Sequence, residues 1–241
     1  MNLDYLRNHR GHIVHLTVQH LQLTATALAI ALVVAIPLGL LIATVKPVSL
    51  PVLVVLGLIY TIPSLAFLAF LIPSLGLGRK PAVVVLAAYA QLALVRNIDA
   101  ALRGVDAATI EAARGVGMTW WQVFWQVRLP LALPVLVAGL RIALVTTISL
   151  ATVTAWINAG GLGSLLFDGI SRDYPSEILA GTVAITALAL CADAVLRVLE
   201  RMTPAARAGR VKEEGEGRRA RGRMARRKAV DRESDLAGGR V

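Results

Sequence analysis

The stretch LQLTATALAIALVVAIPLGLLIAT, residues 21–44, indicates the class of fold, because it contains no charged side chain. An α-helix rises about 1.5 Å per residue, so about 20 apolar residues cross the roughly 30 Å of hydrocarbon in a bilayer. The stretch is longer than the core of a signal peptide and has no clear cleavage site before Lys46. We therefore expect a transmembrane helix here.

Further apolar blocks follow along the chain, at residues 50–73, 81–101, 131–156 and 178–199. The composition agrees with a membrane protein, since 56% of the residues are hydrophobic and only 17% are charged. We expect an all-α polytopic fold of about five transmembrane helices, with the transmembrane domain at residues 21–202. Pro37, Pro63 and Pro134 lie inside blocks and predict kinks.

Several classes of site are not supported by the sequence. One cysteine, Cys191, cannot form a disulfide framework. Four histidines approach helical spacing, but Asp4 is the one carboxylate near them, so we expect an amphipathic entry helix and no metal. The histidines are His9, His12, His15 and His20.

No catalytic constellation occurs, and we predict that the chain is not an enzyme. The segment that contains Gly160, Gly161 and Gly163 is glycine-rich, but it lacks the lysine and the hydroxyl residue of a phosphate loop. We expect no cofactor in this chain, and a tight turn at these glycines.

The basic residues are concentrated at the C-terminus, where 12 of the 25 Lys and Arg fall in residues 205–241. Residues 203–241 are too polar to bury a core, so we expect a disordered basic tail. The tail either contacts anionic lipid or is simply solvated. Because nearly half of the basic residues lie in such a tail, the net charge of +10 does not predict nucleic-acid binding.

Lys and Arg are enriched in cytoplasmic loops, and the loop at residues 103–130 carries Arg103, Arg114 and Arg128. This asymmetry predicts a cytoplasmic C-terminus and an outer N-terminus, with residues 1–20 forming an extracytoplasmic or interfacial segment. Arg7 and Arg10 would then lie outside, which conflicts with the rule mildly.

The loop at residues 103–130 is too apolar for a linker and too polar for a span. Asp106 predicts the N-cap of a short helix that ends near Arg114, with Gly115 or Gly117 supplying a left-handed residue. Thr119 and Gln122 have capping-box spacing for a second helix, which Pro130 closes before the next span. The first helix exposes Glu111 beside small residues, and it either docks on a partner or rests on the bilayer.

The residues of this loop resemble a known motif. Glu111, Ala112 and Ala113, then Gly117, and then Val127 to Pro130 look like the EAA motif of binding-protein-dependent ABC importer permeases, with Val127 where isoleucine is usual. The resemblance implies a type I importer fold and a coupling helix that docks into an ATP-binding subunit. The coupling residues would be Asp106, Glu111, Ala112, Ala113, Gly117 and Pro130.

Flanking segments narrow the resemblance to permeases for glycine betaine, carnitine and choline. These segments are YTIPSLA at 60–66, LRGVD at 102–106 and NAGGLG at 158–163. The resemblance implies alternating access in a bacterial inner or plasma membrane, a second permease subunit, two ATPase subunits that bind ATP-Mg, and an extracytoplasmic binding protein. Two rivals stay open: a permease for amino acids or another small solute, and an ATPase-independent channel or membrane enzyme.

Three groups of residues are candidates for a translocation path or gate. They are Thr61, Pro63 and Ser64 in the segment 60–66, the charged residues Arg141 and Asp193 inside blocks, and Gly160, Gly161 and Gly163, which the resemblance suggests border the outer gate. Arg141 and Asp193 are costly in hydrocarbon, at roughly 2.5–3.5 kcal/mol each, so they should face protein or water. A mutual ion pair is the simplest arrangement, and the alternatives are snorkelling towards an interface or lining the path. Arg96 and Asp99 are expected to be interfacial and structural.

Overall fold

The structure is a computed structural model that describes residues 9–202. Over that range the fold is all-α, as predicted. The α-helices are α1 Arg10–Thr44, α2 Lys46–Thr61, α3 Ser64–Leu75, α4 Arg79–Arg103, α5 Ala107–Gly115, α6 Trp120–Gln122, α7 Leu129–Thr154, α8 Gly163–Ser171 and α9 Pro175–Met202. A π-helical segment, Val123–Arg128, joins α6 to α7, and a 3₁₀ turn, Ala155–Ile157, follows α7.

The number of membrane-crossing helices agrees with the prediction of about five. Within residues 9–202, four helices are long and apolar enough to cross a bilayer: α1, α4, the continuous helix from Trp120 to Ile157, and α9. A fifth crossing requires α2 and α3 together. The predicted basic tail at 203–241 and the first residues of the N-terminal segment lie outside the described residues.

The first span begins earlier than predicted, because α1 starts at Arg10 and not at residue 21. Hydropathy detects the part of a helix that prefers lipid, whereas the helix itself continues into more polar sequence. Leu16 and His20 in this added part are buried against the rest of the protein. Residues 10–20, where an entry helix was expected, are therefore helical and continuous with the first span.

The block at residues 50–73 is not one straight span. It is divided into α2 and α3, whose axes differ by 90°. Ile62 has ψ 127° and Pro63 has ψ 130°, so both residues are extended. Proline disfavours helical geometry in the residue before it and lacks an N–H, so the predicted kink at Pro63 is a complete break.

Pro130 does not close the loop segment as predicted, because it lies in the first turn of α7 and the helix runs on from Trp120. The proline ring would clash with the carbonyl four residues earlier in a regular α-helix. The wider π-helical turn at Val123–Arg128 immediately precedes it and provides space for that carbonyl.

The interface between α1 and α4 depends on small side chains. Ala27, Ala31, Ala35 and Gly39 recur every four residues on one face of α1 and are buried. A Cβ at Gly39 would lie 2.6 Å from Ile98 of α4. Small residues let membrane helices approach closely, which gains van der Waals contact where lipid offers no hydrophobic drive. Gln91 of α4 adds a hydrogen bond to the Ala31 carbonyl at 3.0 Å.

Contacts between distant segments define the two ends of the bundle. At one, the loop end, the Arg103 guanidinium donates to the Ile42 carbonyl near the end of α1. At the other, the glycine end, the Gly78 N–H donates to the Ile157 carbonyl at 2.8 Å and Gln19 of α1 reaches Gly161. Helix α1 therefore starts at the glycine end and finishes at the loop end. Helix α9 runs in the same direction and also finishes at the loop end.

Candidate functional site

Helix α5 begins with a side-chain cap, as predicted. The Asp106 carboxylate accepts from the backbone N–H of Ala108 at 3.4 Å and of Thr109 at 3.3 Å. It also accepts from the Thr109 hydroxyl, at 3.2 Å. These bonds satisfy donors that the first turn of a helix leaves without partners.

Helix α5 ends in a glycine motif. Gly117 has φ +88°, a left-handed value that favours glycine. The Gly117 N–H donates to the Arg114 carbonyl at 2.9 Å, and the Met118 N–H donates to the Ala113 carbonyl at 3.3 Å. This pair of bonds is the Schellman arrangement, with glycine at the position that follows the C-cap. Of the two predicted glycines, Gly117 supplies the left-handed residue.

The outer face of α5 is available to a partner. Glu111 and Ala112 are exposed, whereas Ala113 is buried against the rest of the loop. Within residues 9–202, the Glu111 carboxylate has no hydrogen bond or ion pair. The helix therefore presents one carboxylate between small residues, which permit close approach of another protein surface.

The loop is tied firmly to the spans beneath it. The Arg128 Nε donates to the Leu102 carbonyl at 3.0 Å, which connects the π-helical segment to the end of α4. Arg103 pairs with Asp99 at 2.6 Å and also holds the Ile42 carbonyl of α1. Asp99 thus has the structural role that was predicted. Helix α5 itself packs on the π-helical segment, and these bonds join that segment to α4, and α4 to α1.

The capping box predicted at Thr119 is present. The Thr119 N–H donates to Gln122 Oε1 at 2.8 Å, and the Gln122 N–H donates to the Thr119 hydroxyl at 3.4 Å. After it, aromatic rings stack one turn apart: Trp120 on Phe124 at 5.7 Å, and Trp121 on Trp125 at 6.4 Å between centroids. The three tryptophans are about half exposed or more. Such rings suit the headgroup depth of a membrane.

A cleft of about 570 Å³ opens where α2 and α3 separate. Three of the predicted path residues, Thr61, Pro63 and Ser64, line it. Tyr60, Tyr89 and a face of α7 from Val145 to Val153 complete the wall. Non-helical backbone at membrane depth is tolerated where it is buried in protein or lines a cavity, and this break meets that condition.

The other predicted path residues lie elsewhere. Gly160 and Gly161, with φ +82° and +88°, pack against α1 at the glycine end. A Cβ at Gly161 would lie 2.9 Å from His20 Nδ1, and one at Gly163 would overlap the Thr152 carbonyl oxygen. The glycines are needed for close backbone approach, and the predicted tight turn is present.

Two polar residues of α1 hold this turn, and the sequence did not single them out for that role. Gln19 Oε1 accepts from the Gly161 N–H at 3.1 Å. The fully buried His20 ring bonds the Ile148 carbonyl of α7 through Nε2 at 3.0 Å. His20 is therefore a packing residue between α1, α7 and the glycine turn. Within residues 9–202, no group of three potential metal ligands occurs.

Arg141 and Asp193 form the predicted ion pair, with Nε 3.0 Å from Oδ1. The pair belongs to a larger network that spacing did not predict. Arg141 also bonds Glu200 at 2.8 Å, and Asp193 bonds Arg197 at 2.7 Å. This network joins α7 to α9, and neither Arg141 nor Asp193 lines the cleft.

Residues 35–203 match the family described as "Binding-protein-dependent transport system inner membrane component". This match covers well over half of the chain. The chain belongs to this family. The permease is therefore a multi-pass membrane protein and the membrane component of a transport system.

Named relatives cover most of the permease. It is 37% identical to the glycine betaine/carnitine/choline transport system permease protein OpuCB of Bacillus subtilis, over 84% of this chain and 94% of the relative. It is 42% identical to the carnitine transport permease protein OpuCB of Listeria monocytogenes, over 79% of this chain and 88% of the relative.

A solved structure supports the fold. The permease superposes on a chain from the crystal structure of an amino acid ABC transporter with histidines, with a TM-score of 0.69 and 18% identity. The superposition covers 83% of this chain and 98% of the other. The type I importer permease fold predicted from the sequence is confirmed.

Proposed function

We propose that this permease is the membrane-spanning subunit of an ATP-driven importer for a small compatible solute of the glycine betaine, choline or carnitine type. The identity of 37–42% to permeases named for these solutes carries the choice of solute. The binding protein delivers the solute, ATP is hydrolysed on two separate ATPase subunits, and a second permease copy or homologue completes the path. ATP-Mg is bound by those ATPases and not by this chain.

The geometry of α5 supports coupling to an ATPase. The helix is capped at both ends, exposes Glu111 and packs on the π-helical segment Val123–Arg128. That segment bonds the end of α4 through Arg128, and α4 bonds α1 through Arg103. A rigid short helix with such anchors passes a displacement of a docked motor into the spans and so favours alternating access. Asp106 and Gly117 shape this helix, Glu111 and Ala112 lie on its exposed docking face, and Ala113 packs on the rest of the loop.

We further propose that the loop end is cytoplasmic, with the N-terminus outside and the C-terminus inside. Lys46, Arg103, Arg114 and Arg128 lie at the loop end, which agrees with the enrichment of basic residues in cytoplasmic loops. An impermeant thiol reagent tests the orientation in a Cys191→Ser background. The variant Glu111→Cys should react only in inverted vesicles, and Arg172→Cys should react only in intact cells. Labelling of position 111 in intact cells would refute the coupling role.

Uptake by proteoliposomes that contain the permease, its ATPase and its binding protein tests the function. We expect accumulation of radiolabelled glycine betaine, choline or carnitine that stops without ATP. Uptake of an amino acid in place of all three would favour a permease for amino acids. Uptake that continues without ATP or ATPase would favour a channel.

A further inference from the structure

Two tyrosines form one corner of the cleft at the α2–α3 break. The rings of Tyr60 and Tyr89 have centroids 5.6 Å apart and planes inclined at 50°. The Tyr89 hydroxyl donates to the Ile62 carbonyl, and the ring of Phe67 lies 6.3 Å from that of Tyr89. Tyr89 is thus held in place from two sides, while Tyr60 remains half exposed in the cleft.

The polar atoms of the cleft are mainly acceptors. The hydroxyls of Thr61, Thr146 and Ser149 each donate to a carbonyl of their own helix, at 2.7, 2.8 and 3.0 Å. Their lone pairs remain available, and the described lining contains no charged side chain. The lining supplies no opposite charge to an anion or to a primary ammonium, so it suits the quaternary ammonium end of a solute and not the carboxylate that glycine betaine and carnitine also carry. A cation without N–H groups needs no such opposite charge, because aromatic rings and neutral oxygens stabilise it electrostatically.

The cleft lies at the depth expected of a solute site. Tyr89 follows Arg79, at the glycine end, by about 15 Å of helix, and Tyr60 follows Lys46, at the loop end, by about 21 Å. Both positions are well inside a hydrocarbon layer of roughly 30 Å. Transporters commonly bind their substrates near the midplane, beside discontinuous helices. The volume of about 570 Å³ is in the range of small-molecule sites.

We infer that Tyr60 and Tyr89 bind the quaternary ammonium group of the solute in this cleft during its passage through the permease. The inference rests on the proposed function, which supplies the class of solute. It adds a contact within the membrane domain, separate from the binding protein, and assigns it to two side chains.

Variants at position 60 test the contact in the complete reconstituted importer. Tyr60→Phe keeps the ring, Tyr60→Leu removes it, and Phe70→Leu on α3 is the matched control, since Phe70 is exposed and does not line the cleft. We expect Tyr60→Leu to lower the rate of choline uptake about tenfold at saturating binding protein, with Tyr60→Phe and Phe70→Leu near wild type. The compound 3,3-dimethylbutanol, in which carbon replaces the charged nitrogen of choline, should inhibit choline uptake only weakly. The inhibition should be equal in wild type and Tyr60→Leu.

The outcomes separate this inference from the proposed function. If wild type transports none of the three solutes, the proposed function is wrong. If wild type transports choline and Tyr60→Leu does so equally fast, the inference alone is wrong. Loss of the permease pair from purified Tyr60→Leu complexes would show that a second copy fills the cleft, and it would also overturn the inference. A parallel loss of uptake in Tyr89→Leu with intact assembly supports it.

Discussion

Arg141 of α7 holds Asp193 and Glu200 of α9 at the same time, through Nε at 3.0 Å and Nη1 at 2.8 Å. One guanidinium therefore bridges two carboxylates nearly two helical turns apart. Arg197 bonds Asp193 from the same helix, so the four side chains carry no net charge. The network fixes α9, which has few buried residues, to the better-packed α7.

Arg141→Leu should destabilise the permease more than Arg197→Leu does. Removal of Arg141 takes a partner from two partly buried carboxylates, whereas Arg197 is about half exposed and bonds one. We expect about 2 kcal/mol for Arg141 and about 0.5 kcal/mol for Arg197. Tryptophan fluorescence during thermal unfolding in detergent measures the difference, and equal losses would contradict it.

A charge exchange between positions 141 and 193, the double variant Arg141→Asp with Asp193→Arg, provides a second check on this network. The new carboxylate would lie beside Glu200 and the new guanidinium beside Arg197, so two repulsions accompany the restored pair. We expect the exchanged protein to remain less stable than wild type in thermal unfolding. Full recovery would show that Glu200 and Arg197 do not take part.

Asp106→Ala should loosen α5 without unfolding the spans. The change removes the acceptors for the Ala108 and Thr109 amides, and the loss of an N-cap costs about 1 kcal/mol. Hydrogen exchange at residues 107–115 should become faster, while exchange in α4 stays unchanged. Asp106→Asn retains an acceptor and is the control; faster exchange in that variant too would assign the effect to charge.

Glu111→Lys should abolish ATP-dependent uptake and leave membrane insertion intact. Glu111 is exposed and bonds nothing else in the described part of the chain, so its replacement should disturb a partner and not this fold. Uptake and co-purification of the ATPase measure the effect. As a control, Arg172→Glu reverses an exposed charge at the glycine end, away from α5. Wild-type uptake by Glu111→Lys would remove the coupling assignment.

Gly117→Ala should weaken the end of α5, and Gly115→Ala should not. Neither position has an atom within 4 Å of an added Cβ, so crowding does not contribute. Gly117 alone of the two has a left-handed φ, which costs about 1–2 kcal/mol for an L residue. Thermal unfolding and uptake of the two variants should therefore diverge. Equal behaviour would mean that the turn can relax.

Gly161→Ala should destabilise the permease more than Gly117→Ala, although both glycines have a φ of +88°. An added Cβ at Gly161 meets the His20 ring at 2.9 Å, and one at Gly117 meets nothing within 4 Å. Since both changes place an L residue at a left-handed φ, we expect a difference of about 1–3 kcal/mol from overpacking at Gly161. Thermal unfolding of the purified variants reports the difference. A smaller loss for Gly161 would show that His20 moves aside.

Local signals predicted the structure best. The Asp106 cap, the Gly117 terminus and the Thr119 capping box depend on residues a few positions apart, and all three are present. Hydropathy likewise located the spans, because the cost of polar groups in lipid is a property of each segment alone.

Features that depend on direction or on distant partners were not predicted. A hydropathy window measures how apolar residues 50–73 are and cannot detect the 90° change in axis at Pro63. The bonds from Gln19 to Gly161 and from Arg141 to Glu200 join positions far apart in sequence. These pairs depend on how the helices pack, and single-sequence periodicity holds no such information.

The helix that runs from Trp120 through the π-helical segment to Ile157 has 38 residues, or about 57 Å of continuous helix. Its base belongs to the exposed loop, its middle forms one wall of the cleft, and its tip meets the glycine turn. A tilt of roughly 5° about the base would sweep the tip sideways by about 5 Å over that length. If α5 passes a displacement to this base, a small movement at the loop end would become a larger one at the glycine end.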